Sequence, residues 1–213
     1  MTALKYVASL ALALPVMSMA ENGMEVGKPN FKVGEVITYT INRKMENRTG
    51  EEINTITSVN DNEVKVRSEN TLRDPLVVDA VWSVDGGVVV TEHDGSKLSP
   101  PSVRLKFPMT VGLKWDSKFE ANRPDGMVTR TTLDVEVKAF EKIQTPAGEF
   151  DAFRIESNGW YNGVTWRGTI KAQEIYWYAP KIGRIVRSEY KDYQRGLRND
   201  NISEIKSFVA APQ

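Results

Sequence analysis

The 213-residue chain has no cysteine and one histidine, and its 28 Lys and Arg are balanced by 28 Asp and Glu. Without cysteine there is no disulfide scaffold, iron–sulfur cluster, thiolate zinc site or thiol nucleophile. One histidine leaves little room for a His-based metal centre or relay, so no metal and no cofactor is expected. A formal charge of zero argues against nucleic acid, whose phosphates are held by many uncompensated Lys and Arg. No window carries a long amphipathic helix with caps. There is no Gly-x-Ser-x-Gly elbow, Walker loop, dinucleotide fingerprint or His-Glu-x-x-His, and no catalytic residue is expected. What remains, 40% hydrophobic and 26% charged residues, is the composition of a globular chain.

Residues 1–20 read as a secretory signal. Lys5 precedes the uncharged apolar stretch Tyr6–Met17, and Ser18-Met19-Ala20 places small residues at −3 and −1 of a cleavage point before Glu21. The apolar run is shorter than the roughly 20 residues a spanning helix needs, and with no Cys to acylate a lipoprotein is excluded. Cleavage removes 20 of 213 residues and one of 28 basic charges, leaving 193 residues with 27 basic and 28 acidic side chains. The expected mature protein is soluble and periplasmic or secreted, peripheral to a membrane at most. Bound for an oxidising compartment without disulfides, it must draw its stability from a large core.

From Phe31 onward the dominant period is two. Val64-Lys65-Val66-Arg67 and Leu133-Asp134-Val135-Glu136-Val137-Lys138 alternate apolar with charged residues, as strands with one wet face do. Turn chemistry separates the runs at Asn60-Asp61-Asn62, Asp85-Gly86-Gly87, Asp94-Gly95, Arg123-Pro124-Asp125-Gly126 and Asn162-Gly163. The expected fold is all-β, with little or no helix. About 11–13 antiparallel strands form a strongly curved sheet or a partly closed barrel or sandwich, since so many strands do not stay flat and open. Phe31–Tyr39 and Phe107–Trp115 echo one another, each placing Val-Gly shortly before an aromatic. Residues 21–213 are read as a single β domain, with two subdomains meeting near 94–104, around Pro100-Pro101.

Three phrases occur in order in the second half: Phe107-Pro108 through Val111-Gly112-Leu113-Lys114-Trp115, Thr145-Pro146-Ala147-Gly148-Glu149-Phe150-Asp151-Ala152-Phe153, and Tyr176-Trp177-Tyr178-Ala179-Pro180-Lys181-Ile182-Gly183-Arg184. Together they resemble a family of exported bacterial β-rich domains of uncharacterised function, over roughly residues 105–190. The resemblance implies a curved antiparallel sheet in the cell envelope and brings no catalytic residues with it. Its phrases are mainly architectural, because Pro and Gly at such positions suit tight hairpin turns.

The feature most suggestive of a ligand is aromatic. Trp160, Tyr161, Trp166, Tyr176, Trp177 and Tyr178 lie close together in the chain. On ideal strands Trp166, Ala172, Tyr176 and Tyr178 share a face. Trp160, Trp166, Tyr176 and Tyr178 are the candidate ligand-binding residues, lining an aromatic face for an apolar ligand, a glycan or an envelope protein; the competing reading is that they fill the core. His93, beside Glu92 and Asp94, could be an oriented base or a metal ligand, but Asp94-Gly95 also marks a turn. Glu149 and Asp151 share a strand face, and paired carboxylates serve glycoside hydrolysis. The expectation is therefore a non-catalytic exported binding or scaffold protein of the cell envelope. The alternative is a hydrolase of envelope polymers acting through Glu149, Asp151 or Glu174.

Overall fold

The computed structural model describes residues 26–72 and 76–212, and the signal segment 1–20 lies outside them. Twelve strands follow in chain order: β1 Val36–Arg43, β2 Arg48–Val59, β3 Glu63–Asn70, β4 Leu76–Ser83, β5 Val88–Val90 and β6 Lys97–Ser102 make the first half. The second half is β7 Lys114–Asn122, β8 Val128–Thr145, β9 Gly148–Gly163, β10 Thr169–Ala179, β11 Arg184–Tyr193 and β12 Leu197–Val209. Each strand pairs antiparallel with its neighbour in sequence, and β1 pairs with β12 to close the barrel. Closure leaves no open edge, which is how an all-antiparallel sheet of this size satisfies its backbone. Among the described residues the only helical element is a single 3-10 turn, Lys44–Glu46. The 94–104 stretch runs through β6, which is paired to both β5 and β7.

The alternation read in the sequence is the wall of the barrel. In β3, Val64, Val66, Ser68 and Asn70 are buried while Lys65, Arg67 and Glu69 are exposed. Charged residues outside are the reverse of a lipid-facing barrel, which carries an apolar outer band. The inward series also changes character along the axis. It runs Val64, Val66, Ser68, Asn70 on β3; Ile205, Ser203, Asn201, Asn199 on β12; and Ile56, Asn54, Glu52 on β2, as the pairings require. One end of the lumen is therefore apolar and the other polar.

The apolar end is stoppered by chain. Val26 exchanges both backbone hydrogen bonds with Met109, at 3.2 and 2.9 Å, tying the incoming segment to the β6–β7 connection. Phe31 packs on Trp82 with ring centroids 5.8 Å apart. The Arg184 guanidinium stacks 4.2 Å from the centroid of Phe31 and forms a buried ion pair with Glu35. On the outer side of β10, Trp177 is covered by the β8–β9 hairpin: its Nε1 donates to Glu141 Oε1 at 2.9 Å, and Ile143 and Phe150 pack against the same cluster.

The sequence echo extends to the whole topology. Gly34 (φ 91°) and Gly112 (φ 88°) each form a left-handed turn before the first strand of a half. Gly34 N–H donates to Ile56 O at 2.8 Å and Ile56 N–H to Glu35 O at 2.9 Å; Gly112 N–H donates to Val137 O at 2.8 Å and Val137 N–H to Leu113 O at 2.9 Å. Bulges then fall at matching places, after Ile56 and after Val137, and again before Trp82 and before Tyr178. β1–β6 and β7–β12 thus open on the same turn and carry these bulges at matching places.

Candidate functional site

The lumen holds three connected chambers whose linings share Arg104 and Tyr176. The largest, of about 500 Å³, occupies the polar end and is lined by Glu52, Asn70, Glu92, Tyr161, Glu174 and Tyr190 among others. A second, of about 280 Å³, lies against β6–β9, with Ser157, Thr131 and Phe119 in its wall. The third, of about 120 Å³, reaches toward the stoppered end between Phe31, Ile37, Tyr39, Trp82 and Leu105, with Glu52 and Asn54 at its polar rim. Solvent reaches the system from the polar end: His93, whose side chain is 60% exposed, lines two chambers, and Arg123 and Glu46 line one each.

At the centre, Arg104 Nη1 donates to Glu92 Oε1 at 3.3 Å and its guanidinium lies 5.6 Å from the centroid of the Tyr176 ring. Trp82 Nε1 donates to the same Glu92 oxygen at 2.7 Å. Burial pushes the Glu92 carboxyl up, but Arg104, its backbone hydrogen bond, His93 and the Trp82 indole outweigh this and hold it below the usual carboxylate range. Glu174 accepts from Tyr161 Oη at 2.6 Å and from Tyr176 Oη. Burial, with Glu174 alongside, pushes both phenols well above their ordinary value, so they stay protonated as donors.

Glu52 is held differently. Its oxygens accept from two amides, Asn54 Nδ2 at 3.1 Å and Asn70 Nδ2 at 3.4 Å, and it makes no salt bridge among the described residues. Burial, reinforced by repulsion from Glu92, raises its pKa above the usual 4.5. Asn54 is 2% exposed and its Oδ1 has no hydrogen-bond partner among the described residues; the same holds for Ser157 Oγ. A buried polar atom without a partner costs about 1–3 kcal/mol, so both atoms would gain from a complementary group in the chambers they line.

Of the four aromatic candidates, Tyr176 lines the lumen. Tyr178 is buried at the stoppered end, edge-on to Phe107 at 5.5 Å. Trp166 sits in the β9–β10 loop, where Nε1 donates to Thr129 Oγ1 at 2.9 Å. Trp160 is on the outer face of β9 and is 50% exposed. The four therefore do not share one face: the loop after Gly163 resets the parity between Trp166 and β10, and Trp160 alternates outward from Tyr161. Asp94 is engaged by its own turn, accepting from Thr91 Oγ1 at 2.6 Å and Ser96 Oγ at 2.7 Å. Glu149 and Asp151 stand exposed on the β8–β9 hairpin, both ion-paired to Lys142. Among the described residues no group of three or more His, Asp or Glu is placed to hold a metal ion.

Sequence reasoning missed Glu52, Glu92 and Arg104 as a set. Extending the parity of Ile56 back along β2 points Glu52 inward, so that one was readable. Arg104 lies in the irregular 103–113 connection, where no period exists to place it.

Fold and site together describe a closed meander barrel with a polar chamber at one end. Residues 103–199 match the family described as DUF3108-like, and all three phrases at 107–115, 145–153 and 176–184 lie inside or along that stretch. A Bacteroides fragilis protein described as exported and as having a YmcC-like fold shares the architecture, with TM-score 0.60 and 18% identity over 88% of this chain and 100% of its own. More distant are a Parabacteroides distasonis protein described as a lipoprotein (TM-score 0.49, 16% identity, 87% of this chain and 99% of its own) and the hypothetical lipoprotein YmcC of Escherichia coli (TM-score 0.48, 10% identity, 83% and 85%). No curated protein matches the chain.

Proposed function

We propose that this is a non-catalytic, exported binding protein of the bacterial cell envelope that holds a small ligand inside the barrel. The observation that carries the reading is the chamber of about 500 Å³ at the polar end, a size typical of small-molecule sites. It is lined by fixed hydrogen-bonding groups around Arg104 and Tyr176, and unsatisfied polar atoms stand in the walls of the chambers joined to it. Export is supported by the signal-like residues 1–20 and by the description of the Bacteroides fragilis neighbour. A ligand-binding role of the aromatics narrows to Tyr176, which supplies both a ring and a hydroxyl to the chamber.

Native mass spectrometry of the mature protein from periplasmic extract, before and after denaturing extraction, tests this. A discrete added mass that disappears on extraction, and is lost in a variant whose lumen is filled by Ser203→Trp, supports lumen binding. A bare-chain mass throughout, with no small molecule shifting the unfolding temperature in a metabolite screen, would overturn it.

A further inference from the structure

The ionisable groups around the largest chamber do not balance. Glu92 is paired with Arg104, Arg43 with Glu46, and Glu189 with Arg187 on the outside. Among the carboxylates that leaves Glu52 and Glu174, which form no salt bridge among the described residues and both line the chamber; His93, also in the lining, sits beside Asp94. They stand on β2 and β10, separated around the barrel by β1, β12 and β11. An anionic ligand would meet Glu52, Glu92 and Glu174 around Arg104, whose guanidinium is already engaged by Glu92, and like charges repel more strongly at low dielectric. A cation meets the opposite field.

The hydrogen-bonding inventory points the same way, independently of the charge. Next to Glu52, the buried Asn54 amide donates from Nδ2 to the carboxylate, while Oδ1 is an unpartnered acceptor at the rim of the inner chamber. A ligand donor placed there would satisfy Oδ1. A desolvated metal ion is disfavoured, because hard cations need about six or more clustered oxygens and no such group is present among the described residues. An ammonium group needs only two or three acceptors and tolerates neighbouring aromatic rings. The chamber that Glu52 and Glu174 both line also presents Ile41 and the Tyr176 ring, surfaces against which methylene groups can pack.

We infer that the lumen takes an organic ammonium ligand of the polyamine class, with one ammonium at Glu52 and Asn54, another at Glu174, and an aliphatic spacer between them. This rests on the lumen being a ligand site at all. The ammonium at Glu52 takes up the free Asn54 acceptor and neutralises an unpaired carboxylate. The one at Glu174 meets a carboxylate whose geometry Tyr161 and Tyr176 fix.

Titration calorimetry of the mature, ligand-stripped protein with spermidine tests the inference, with a neutral polyol and citrate as comparison probes. Saturable one-site binding of spermidine is expected, weakened by about tenfold or more in Glu52→Gln and in Glu174→Gln, each removing one charge-assisted contact. Asp151→Asn, a change of equal charge on the exposed hairpin, should leave it unaltered. Thermal unfolding confirms that each variant is folded. Spermidine binding insensitive to both lumen variants, or absent, overturns the inference. If the polyol, citrate or an extracted native molecule then binds and is excluded by Ser203→Trp, the lumen reading survives and only the ligand class is wrong. If none binds, both fall together.

Discussion

Gly34 and Gly112 occupy the same position in two copies of one turn, with φ of 91° and 88° and the same pair of backbone hydrogen bonds to the second strand of each half. Positive φ of this size is open to glycine at little steric cost and expensive for other residues. At Gly112 an added Cβ would meet nothing within 4 Å, whereas at Gly34 it would approach Pro212 Cδ at 3.1 Å. Gly112→Ala should therefore cost the backbone strain alone, about 1–3 kcal/mol, and Gly34→Ala at least as much. Urea denaturation of both variants checks this; an unchanged midpoint for Gly112→Ala would show that the turn relaxes without needing glycine.

The turn-and-strand grammar was legible because it is local. The Val-Gly echo, the Asx-Gly turns and the alternation in Val64–Arg67 and Leu133–Lys138 lead directly to paired antiparallel strands, and twelve of them in a meander close on themselves. The site was less legible because it is assembled across the barrel. Aromatics adjacent in sequence alternate between faces and advance about 3.3 Å per residue, so Trp160, Tyr176 and Tyr178 end up outside, in the chamber and in the stopper. Charges on alternating strands read as the wet outer face, which holds for Lys65 and Arg67, whereas Glu52 and Glu174 line the chamber. In a barrel this wide the inner face has its own water-accessible end.

The Glu35–Arg184 pair closes the opposite end. Both side chains are almost fully buried, and the guanidinium also donates to Gly183 O at 2.7 Å and Asn30 O at 3.2 Å. Removing one member of such a pair strands the other charge, at about 3–5 kcal/mol. Glu35→Ala should lose that much, while Glu35→Ala with Arg184→Met should recover a substantial part, since no charge is then left buried. A double-mutant cycle by chemical denaturation measures the coupling. Additive losses would mean that the two do not act through each other, Arg184 contributing instead through its contacts with the Phe31 and Phe208 rings.

Asp94 stabilises its turn as an anion. Burial alone would raise its pKa, but His93 and the hydrogen bonds from Thr91 and Ser96 dominate and lower it from 3.8 to about 2. A carboxyl depressed in the folded state contributes stability that is complete above its unfolded value and is lost as pH falls through the folded one. Allowing for its partial exposure, that contribution is about 1–2 kcal/mol. Asp94→Asn should thus be destabilised at pH 7 by about this amount, with the difference from wild type shrinking between about pH 4 and pH 2. A difference that is constant over that range would assign the effect to packing instead of charge.

Glu52 has the opposite sign. Its pKa is raised, first by burial and then by Glu92, with the amides of Asn54 and Asn70 only partly offsetting this. A carboxyl raised on folding favours the folded state while protonated, and that advantage is lost as pH climbs from the ordinary value of 4.5 through the folded one. At neutral pH Glu52 therefore weighs against the folded state. Glu52→Gln, which keeps the shape and can still accept from one amide, should raise the unfolding temperature at pH 7 to 8 and leave it near the wild-type value around pH 4. Thermal unfolding across that range provides the check, and a variant less stable than wild type at neutral pH would show that the two amides compensate the charge in full. With spermidine added, the wild-type protein should overtake the variant at neutral pH, because the ligand neutralises a charge that the variant no longer carries.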